Sequence, residues 1–287
     1  MNLLNKKNSS KAFSLIELSI VVLIIGILIA GVTQSSRLVK QVKLMSARSI
    51  TLSSPVPTIK NLVAWYESTS EKSFNDSETS DQSLLKNWYD INLQSSIKID
   101  ASQSTDANKP IYAFDESTNL PIVKFIDQDF FNLPDATVPF NNMPYTVFFV
   151  SRADSMCNCG ILGSGTYFTN NATNAFSYDN VNGLNNYWWY VDLYMPSTIT
   201  LKKLTIIDIT YDLAKREGYV DGVLKVTTPS SNRASTSINN TIGRTAPGEF
   251  LIGSIGEIII FDRSLNTEER KSIENYLSKK WSIKLLN

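Results

Sequence analysis

Residues 253–281 read G-S-I-G-E-I-I-I-F-D-R-S-L-N-T-E-E-R-K-S-I-E-N-Y-L-S-K-K-W and join two patterns of different period. The first part is rich in β-branched residues, which predicts a β-strand over 255–262. Asn266 followed by Glu269 is typical of a helix N-cap box. An apolar stripe then recurs every four residues, at Ile273, Leu277 and Trp281. This stripe predicts a C-terminal helix that packs on a sheet.

Further strand patterns lie upstream of this segment. Residues 145–151 and 204–210 are β-branched and aromatic, and Asp221-Gly222 between valines predicts a hairpin turn. Many short strands separated by turn signals are typical of a β-sandwich. We therefore expect a sandwich domain over 61–287.

The N-terminal part of the chain has a different composition. Residues 13–32 read F-S-L-I-E-L-S-I-V-V-L-I-I-G-I-L-I-A-G-V, with Glu17 as their only charge, after a short basic stretch. A helix of this length is about 30 Å long, which is enough to cross a bilayer. The helical spacing of apolar residues continues to about residue 50, and Pro55 and Pro57 then disfavour a continued helix. We expect a spine helix over 13–52 and a linker over 53–60. An ordinary signal anchor remains an alternative.

Composition excludes several kinds of site. The 287-residue chain has 27 basic and 27 acidic side chains and no histidine. Catalytic triads, Cys-His pairs and H-E-x-x-H zinc sites are therefore excluded, and we expect no metal, no cofactor and no nucleic-acid partner.

Cys157 and Cys159 are too few for a four-ligand zinc site. A disulfide across one residue is strained, so we expect two thiols in a loop, with a strained or redox-active bridge as the alternative.

Residues 11–18, K-A-F-S-L-I-E-L, resemble the type IV prepilin family, including the pseudopilins of type II secretion. The resemblance implies that residues 1–12 are a leader, which prepilin peptidase removes between Ala12 and Phe13 before it methylates the new amino terminus. It also implies that Glu17 neutralises the amino terminus of a neighbouring subunit in a filament. Ala12 departs from the glycine that is usual in the family.

A second resemblance covers residues 60–282, which look like a concanavalin A-like, laminin-G-like jelly roll. It is carried by motifs at 62–66, 145–152, 219–223, 242–244, 253–265 and 269–281. Members of this fold bind glycans or proteins, and some hydrolyse glucans. The E-x-D-x-x-E pattern of those hydrolases is absent, and Glu257 and Asp262 fall on opposite faces of a strand. We expect both to be strand-edge or turn charges, and the chain not to be an enzyme.

The aromatic run of Tyr187, Trp188, Trp189 and Tyr190 has two interpretations. Aromatic side chains stack on sugar rings, and they also fill the cores of sandwiches. We therefore expect core packing, and we keep the run as a candidate ligand surface, the less favoured alternative.

Together these patterns predict an α+β chain: a long hydrophobic N-terminal helix, then a mainly β jelly-roll sandwich with a C-terminal helix. The expected function is a minor pilin or pseudopilin, inserted once in the bacterial inner membrane with its head outside the cytoplasm, then assembled into a pilus or pseudopilus. Its expected partners are prepilin peptidase, other subunits, the membrane, and a glycan or surface protein. The alternatives are an adhesin held by an uncleaved anchor and, less favoured, a membrane-anchored glycan hydrolase.

Overall fold

The computed structural model describes residues 15–155, 157–229 and 233–286. The predicted leader, with Ala12 and Phe13, lies outside the described residues. The chain divides into two compact units, residues 1–43 and residues 44–287. Each unit is described by itself below.

The first unit contains most of helix α1, which spans Leu15–Leu52. The described apolar side chains between Leu15 and Ile29 are all exposed. Glu17 belongs to this helix, but its side chain lies outside the described residues, as do those of residues 30–34 and Ser36. Over the part of the chain that is described, no helix has both the length and the apolar character of a membrane span.

The second unit is a β-sandwich with a C-terminal helix, as the sequence predicts. Its strands are β1 (Leu62–Glu67), β2 (Asn87–Trp88), β3 (Ala101–Ser102), β4 (Ile111–Phe114), β5 (Pro121–Phe125), β6 (Phe131–Asn132), β7 (Tyr145–Ala153), β8 (Cys159–Gly163), β9 (Ala175–Tyr178), β10 (Leu184–Tyr187), β11 (Leu193–Met195), β12 (Thr205–Tyr211), β13 (Lys215–Val220), β14 (Val223–Pro229), β15 (Thr241–Ile242) and β16 (Gly253–Phe261). Helix α2 spans Thr267–Trp281. The predicted hairpin turn at Asp221-Gly222 joins β13 to β14, and both turn residues have positive φ.

The strands form two eight-stranded sheets. Sheet A has the order β14-β13-β12-β7-β16-β5-β4, and β1 also pairs with β16; sheet B has the order β11-β10-β9-β8-β15-β6-β3-β2. Alternate side chains of β16 face opposite sides of sheet A. Ile258 and Ile260 belong to the core between the sheets, whereas Ile259 and Phe261 belong to a second core beneath α2.

Helix α2 begins and packs as its sequence predicts. Asn266 accepts a hydrogen bond from the backbone N–H of Glu269, and the Glu269 carboxylate accepts one from the N–H of Asn266. The stripe of Ile273, Leu277 and Trp281 is buried in the second core. Local signals were sufficient here because a cap and a period of four fix both the start and the buried face of a helix.

A buried ionic network joins α2 to the last turn of α1 and to β1. Lys280 donates to Glu67 and, over 2.9 Å, to Oε2 of Glu257; all three side chains are fully buried. Thr51 donates to Glu67 Oε1 over 3.1 Å. Burial opposes the ionisation of Glu67, but the charge and hydrogen bond of Lys280 outweigh it and lower the pKa of Glu67.

The expectation that Glu257 is a strand-edge or turn charge was wrong. Its carboxylate also accepts hydrogen bonds from three aromatic side chains, those of Trp65 (2.8 Å), Tyr276 (2.7 Å) and Trp281 (2.9 Å). A buried carboxylate is tolerated when a cation and several donors satisfy it. Glu257 is therefore a structural residue at the junction of β16 and α2.

A second acidic pair lies between α2 and β12. Asp208 and Glu274 are both fully buried, and Arg270 of α2 donates to Glu274 and, over 3.5 Å, to Asp208. Burial and the neighbouring charge of Glu274 raise the pKa of Asp208 well above its ordinary value, although Arg270 acts in the opposite direction. One guanidinium therefore lies between two buried carboxyl groups, and burial favours the protonated form of Asp208.

Candidate functional site

The outer face of sheet B carries a cavity of about 250 Å³. We call it the sheet B cavity. It is lined by the polar side chains of Asn158, Ser177, Asn185, Asp192 and Glu249, and by the aromatic side chains of Tyr187 and Trp189. Asparagine, serine and carboxylate groups supply both donors and acceptors of hydrogen bonds, whereas the two aromatic rings supply apolar surface. The lining therefore suits a ligand that is polar at its edges and apolar on a face.

Strand alternation builds the floor of the cavity. In the antiparallel pairing of β9 with β10, Asn185 lies opposite Ser177. Their neighbours Phe176 and Asn186 are buried and face inward, where Asn186 accepts a hydrogen bond of 2.7 Å from Tyr145. Because successive side chains of a strand point to opposite faces, Ser177, Asn185 and Tyr187 face outward together.

The segment after β15 forms one wall. Oε2 of Glu249 accepts hydrogen bonds from the hydroxyl groups of Tyr187 (2.7 Å) and Thr245 (2.6 Å). The segment lies so close to β8 that a Cβ on Gly160 would collide with the backbone N of Thr245. Burial, and then the charge of Glu249, raise the pKa of Tyr187 far above its ordinary value, so its hydroxyl remains a donor.

Trp189 and Asp192 form the rim. Oδ1 of Asp192 accepts hydrogen bonds from the backbone N–H groups of Trp188 (2.8 Å) and Trp189 (3.1 Å). Trp189 has a φ of +79°, a left-handed conformation that costs a bulky residue about 1–3 kcal/mol. Such a conformation persists only where the surrounding structure imposes it.

Three aromatic rings hold the half-buried Trp189 indole in place. Phe168, Tyr187 and Tyr167 contact it in edge-on geometry, with ring centroids 4.7, 5.6 and 6.5 Å away. Edge-to-face pairs at these distances are favourable for the aromatic quadrupole. The indole is therefore fixed at the rim before any ligand arrives.

The aromatic run identified in the sequence does not form one surface. Tyr187 and Trp189 line the cavity, whereas Tyr190 is 72% exposed and lies outside its lining. Trp188 is completely buried, with the Arg216 guanidinium 3.7 Å from its ring centroid. Trp188 must therefore be removed from the candidate ligand surface, because it belongs to the core between the sheets.

Arg216 supports the rim from beneath. This fully buried residue of β13 donates to the carbonyl oxygen of Asn186 over 2.8 Å and to that of Val191. The two carbonyls bracket the turn that carries Trp189. Burial lowers the pKa of Arg216. Sequence reasoning missed this residue, since a single arginine in a strand gives no signal of its role.

Much of the polar lining is open to a ligand. Among the described residues, none forms a hydrogen bond with the side-chain amide of Asn158 or Asn185 or with the second carboxylate oxygens of Asp192 and Glu249. These groups therefore face solvent with their hydrogen-bonding capacity unused.

A disulfide flanks Asn158. Cys157 and Cys159 are paired, with their Cα atoms 5.1 Å apart. The expectation of two free thiols was wrong, and the bridge that we kept as the alternative is present. The disulfide closes a small ring that contains one further residue, Asn158, and Asn158 belongs to the cavity lining. The disulfide restricts the positions that Asn158 can adopt.

The remaining predicted features concern processing and metals. Ala12 and Phe13 lie outside the described residues, and for Glu17 only its place in α1 is described. Across residues 15–155, 157–229 and 233–286, no group of three or more histidine, cysteine, aspartate or glutamate residues is arranged to hold a metal ion.

Comparison with known proteins gives two findings. Residues 7–33 match the family described as "Prokaryotic N-terminal methylation motif", which is the motif of pilin-type precursors. This motif implies processing by prepilin peptidase and assembly with other pilin subunits. No curated protein matches the chain.

Among solved structures, the chain is similar to Trypanosoma rangeli sialidase in complex with the inhibitor DANA, with a TM-score of 0.50 and 18% identity. The match covers 76% of this chain and 33% of the sialidase, so the chain spans about a third of that protein. The NanB sialidase from Streptococcus pneumoniae gives a TM-score of 0.38 at 17% identity, over 46% of this chain and 24% of that one. Identities this low show the fold alone.

The expectation that the chain is not an enzyme is contradicted by the first of these structures. The sandwich shares its fold with part of a sialidase, which is an enzyme. The absence of a carboxylate pattern along one strand therefore gives no ground for excluding a glycosidase fold. Residues 7–33 thus carry a prepilin-type methylation motif, and the unit that follows is a sandwich of a fold also found in a glycosidase.

Proposed function

We propose that this chain is a prepilin-type subunit, a minor pilin or pseudopilin, whose sandwich binds carbohydrate in the sheet B cavity. Prepilin peptidase removes residues 1–12 and methylates Phe13, and the apolar residues that follow insert in the bacterial inner membrane. The sandwich lies outside the cytoplasm and is displayed on a type IV pilus or a type II secretion pseudopilus. The methylation motif over 7–33 and the exposed apolar side chains between Leu15 and Ile29 support this anchoring.

One observation carries the carbohydrate part of the proposal. Within one cavity, the fixed indole of Trp189 lies beside open oxygens of Asp192 and Glu249 and open amides of Asn158 and Asn185. Sugars have an apolar face of C–H groups and an edge of hydroxyl groups. The ring supplies a surface for the face, and the carboxylates and amides supply partners for the hydroxyls.

Processing is tested by intact mass and N-terminal sequencing of the protein from cells with and without prepilin peptidase. The expected product in the first strain is a chain that starts at methylated Phe13. A Met1 start in both strains would contradict the processing step and favour the alternative, an adhesin held by an uncleaved anchor.

Assembly is tested with Glu17→Ala, because a carboxylate in an apolar segment needs a buried cation as its partner. The variant should be absent from sheared filaments while the sandwich remains folded. Ser19→Ala, in the same helix, is the matched control and should assemble normally.

A second candidate is hydrolysis of a glycan at the same site. The observation that favours it is that Asp192 and Glu249, from different segments, line one cavity. Glycosidases use two such carboxyl groups on either side of the scissile bond. Release of reducing sugar that disappears in Glu249→Gln would support hydrolysis. Binding without release would leave carbohydrate recognition as the role of the site.

A further inference from the structure

We infer that the sheet B cavity selects uncharged sugars and discriminates against acidic sugars such as sialic and uronic acids. This inference rests on the proposed carbohydrate site and concerns the class of sugar that it accepts. Two properties of the cavity carry it, namely the charge of its lining and the kind of hydrogen bond it offers; its size limits the ligand to about one ring.

The lining carries negative charge and no positive charge. Asp192 and Glu249 are its two acidic residues, and none of the described residues that line the cavity is basic. A sugar carboxylate in this space would face two carboxylates of like charge without a counter-ion. Recognition of a carboxylate normally uses arginine, whose planar guanidinium forms paired hydrogen bonds with it.

The nearby arginines are directed elsewhere. Arg216 lies on the side of sheet B that faces away from the cavity. Its Nη groups donate hydrogen bonds to the carbonyl oxygens of Asn186 and Val191. The guanidinium of Arg244 lies 3.8 Å from the centroid of the Phe130 ring. Neither side chain belongs to the lining of the cavity, so neither supplies a cation to a ligand there.

The hydrogen-bonding groups favour neutral hydroxyls. The open oxygens of Asp192 and Glu249 act only as acceptors, and a sugar hydroxyl provides the donor that each requires. Hydrogen bonds to an ionised acceptor are stronger than those between neutral groups. The amides of Asn158 and Asn185 then accept or donate to further hydroxyls or to an N-acetyl group.

The size of the cavity limits the ligand to about one ring. Its volume of about 250 Å³ lies just below the roughly 300–1,000 Å³ that is usual for drug-sized ligands. We therefore expect a terminal or branching monosaccharide to enter, and the rest of a glycan to extend into solvent.

The test uses the full-length chain in detergent and a glycan array that contains matched pairs, each pair differing by one sialic or uronic acid. The best pairs are then measured by calorimetry. We expect the neutral member to bind at least tenfold more tightly than its acidic partner. Preference for the acidic member would overturn the inference and leave carbohydrate binding intact. Absence of binding to every glycan would overturn the proposed function as well.

Two variants test whether the carboxylates cause the selectivity. Asp192→Asn and Glu249→Gln each keep an oxygen for the bonds to Trp189 or Tyr187 and remove one charge. Each should reduce the ratio of neutral to acidic affinity severalfold. Asp135→Asn, at an exposed site outside the cavity lining, is the matched control and should leave the ratio unchanged. An unchanged ratio in both cavity variants, with the fold verified by circular dichroism, would overturn the inference.

Discussion

The hydroxyl of Tyr187 donates to Oε2 of Glu249 across 2.7 Å and so joins the floor of the sheet B cavity to its wall. The two residues come from β10 and from the segment between β15 and β16. Glu249 is held with one oxygen toward the protein and the other toward the cavity. The orientation of the carboxylate is therefore set before a ligand binds, which reduces the entropy that binding has to overcome.

Tyr187→Phe should weaken sugar binding about tenfold, because the Glu249 carboxylate loses one of the two hydroxyl groups that orient it. The loss of one hydrogen bond should lower the free energy of unfolding by only about 1 kcal/mol. Calorimetry with the best-binding sugar and thermal unfolding measure the two effects. Tyr190→Phe, at an exposed position outside the cavity, should change neither. Equal affinity of Tyr187→Phe and wild type would show that Glu249 needs no such orientation.

Trp189→Ala and Trp188→Ala should separate binding from folding at adjacent positions. Trp189→Ala removes the rim of the cavity and should abolish sugar binding, with a smaller loss of stability than Trp188→Ala because the indole is only half-buried. Trp188→Ala empties a core site and should lower the free energy of unfolding by about 3–5 kcal/mol. Denaturant unfolding and calorimetry distinguish the two outcomes. Retained binding in a folded Trp189→Ala variant would contradict the proposed site.

Reduction of the Cys157–Cys159 disulfide should weaken sugar binding severalfold with little effect on the melting temperature. The bridge closes a very short ring, so it restricts the unfolded chain only slightly. Its main effect is on Asn158, which becomes free to leave the cavity. The measurement is calorimetry before and after treatment with a thiol reductant. The double variant Cys157→Ser/Cys159→Ser is the control and should bind weakly under both conditions. A large drop in the melting temperature of this double variant would show that the disulfide mainly stabilises the fold.

Asp208→Asn should alter how stability depends on pH. Because burial and Glu274 raise the pKa of Asp208 in the folded protein, its contribution to stability is full at acidic pH and is lost as the pH rises toward that raised pKa. Relative to Asp208→Asn, the wild-type protein should therefore lose stability as the pH rises from about 4, the ordinary pKa of an aspartate, toward the raised pKa of Asp208. Thermal unfolding across this range tests the difference. Asp135→Asn is the control, and parallel curves for all three proteins would contradict the assignment.

The sequence predicts those parts of the fold that depend on neighbours along the chain. Helix α2 follows from Asn266, Glu269 and a stripe of period four, and the β13–β14 turn follows from Asp221-Gly222. The role of Glu257 could not be predicted in this way. Its burial depends on Lys280, in the last turn of α2, and on Trp65, which is distant in sequence.

The candidate site illustrates the same limit. Tyr187 and Trp189 are visible in the sequence as part of an aromatic run, but nothing in that run distinguishes them from buried Trp188. Strand parity and the positive φ of Trp189 make the distinction, and both require coordinates. Glu249 lies some sixty residues away along the chain and reaches the site only because the segment after β15 packs over β8.

The network of Thr51, Glu67, Lys280 and Glu257 has a mechanical consequence. Thr51, near the start of the second unit, and Lys280, in its last helix, both donate hydrogen bonds to the buried carboxylate of Glu67. A pulling force applied at residue 44 therefore reaches α2 and the central strand β16 through this network. We expect the head to resist extension until these contacts rupture together, with a single high peak in a force–extension trace.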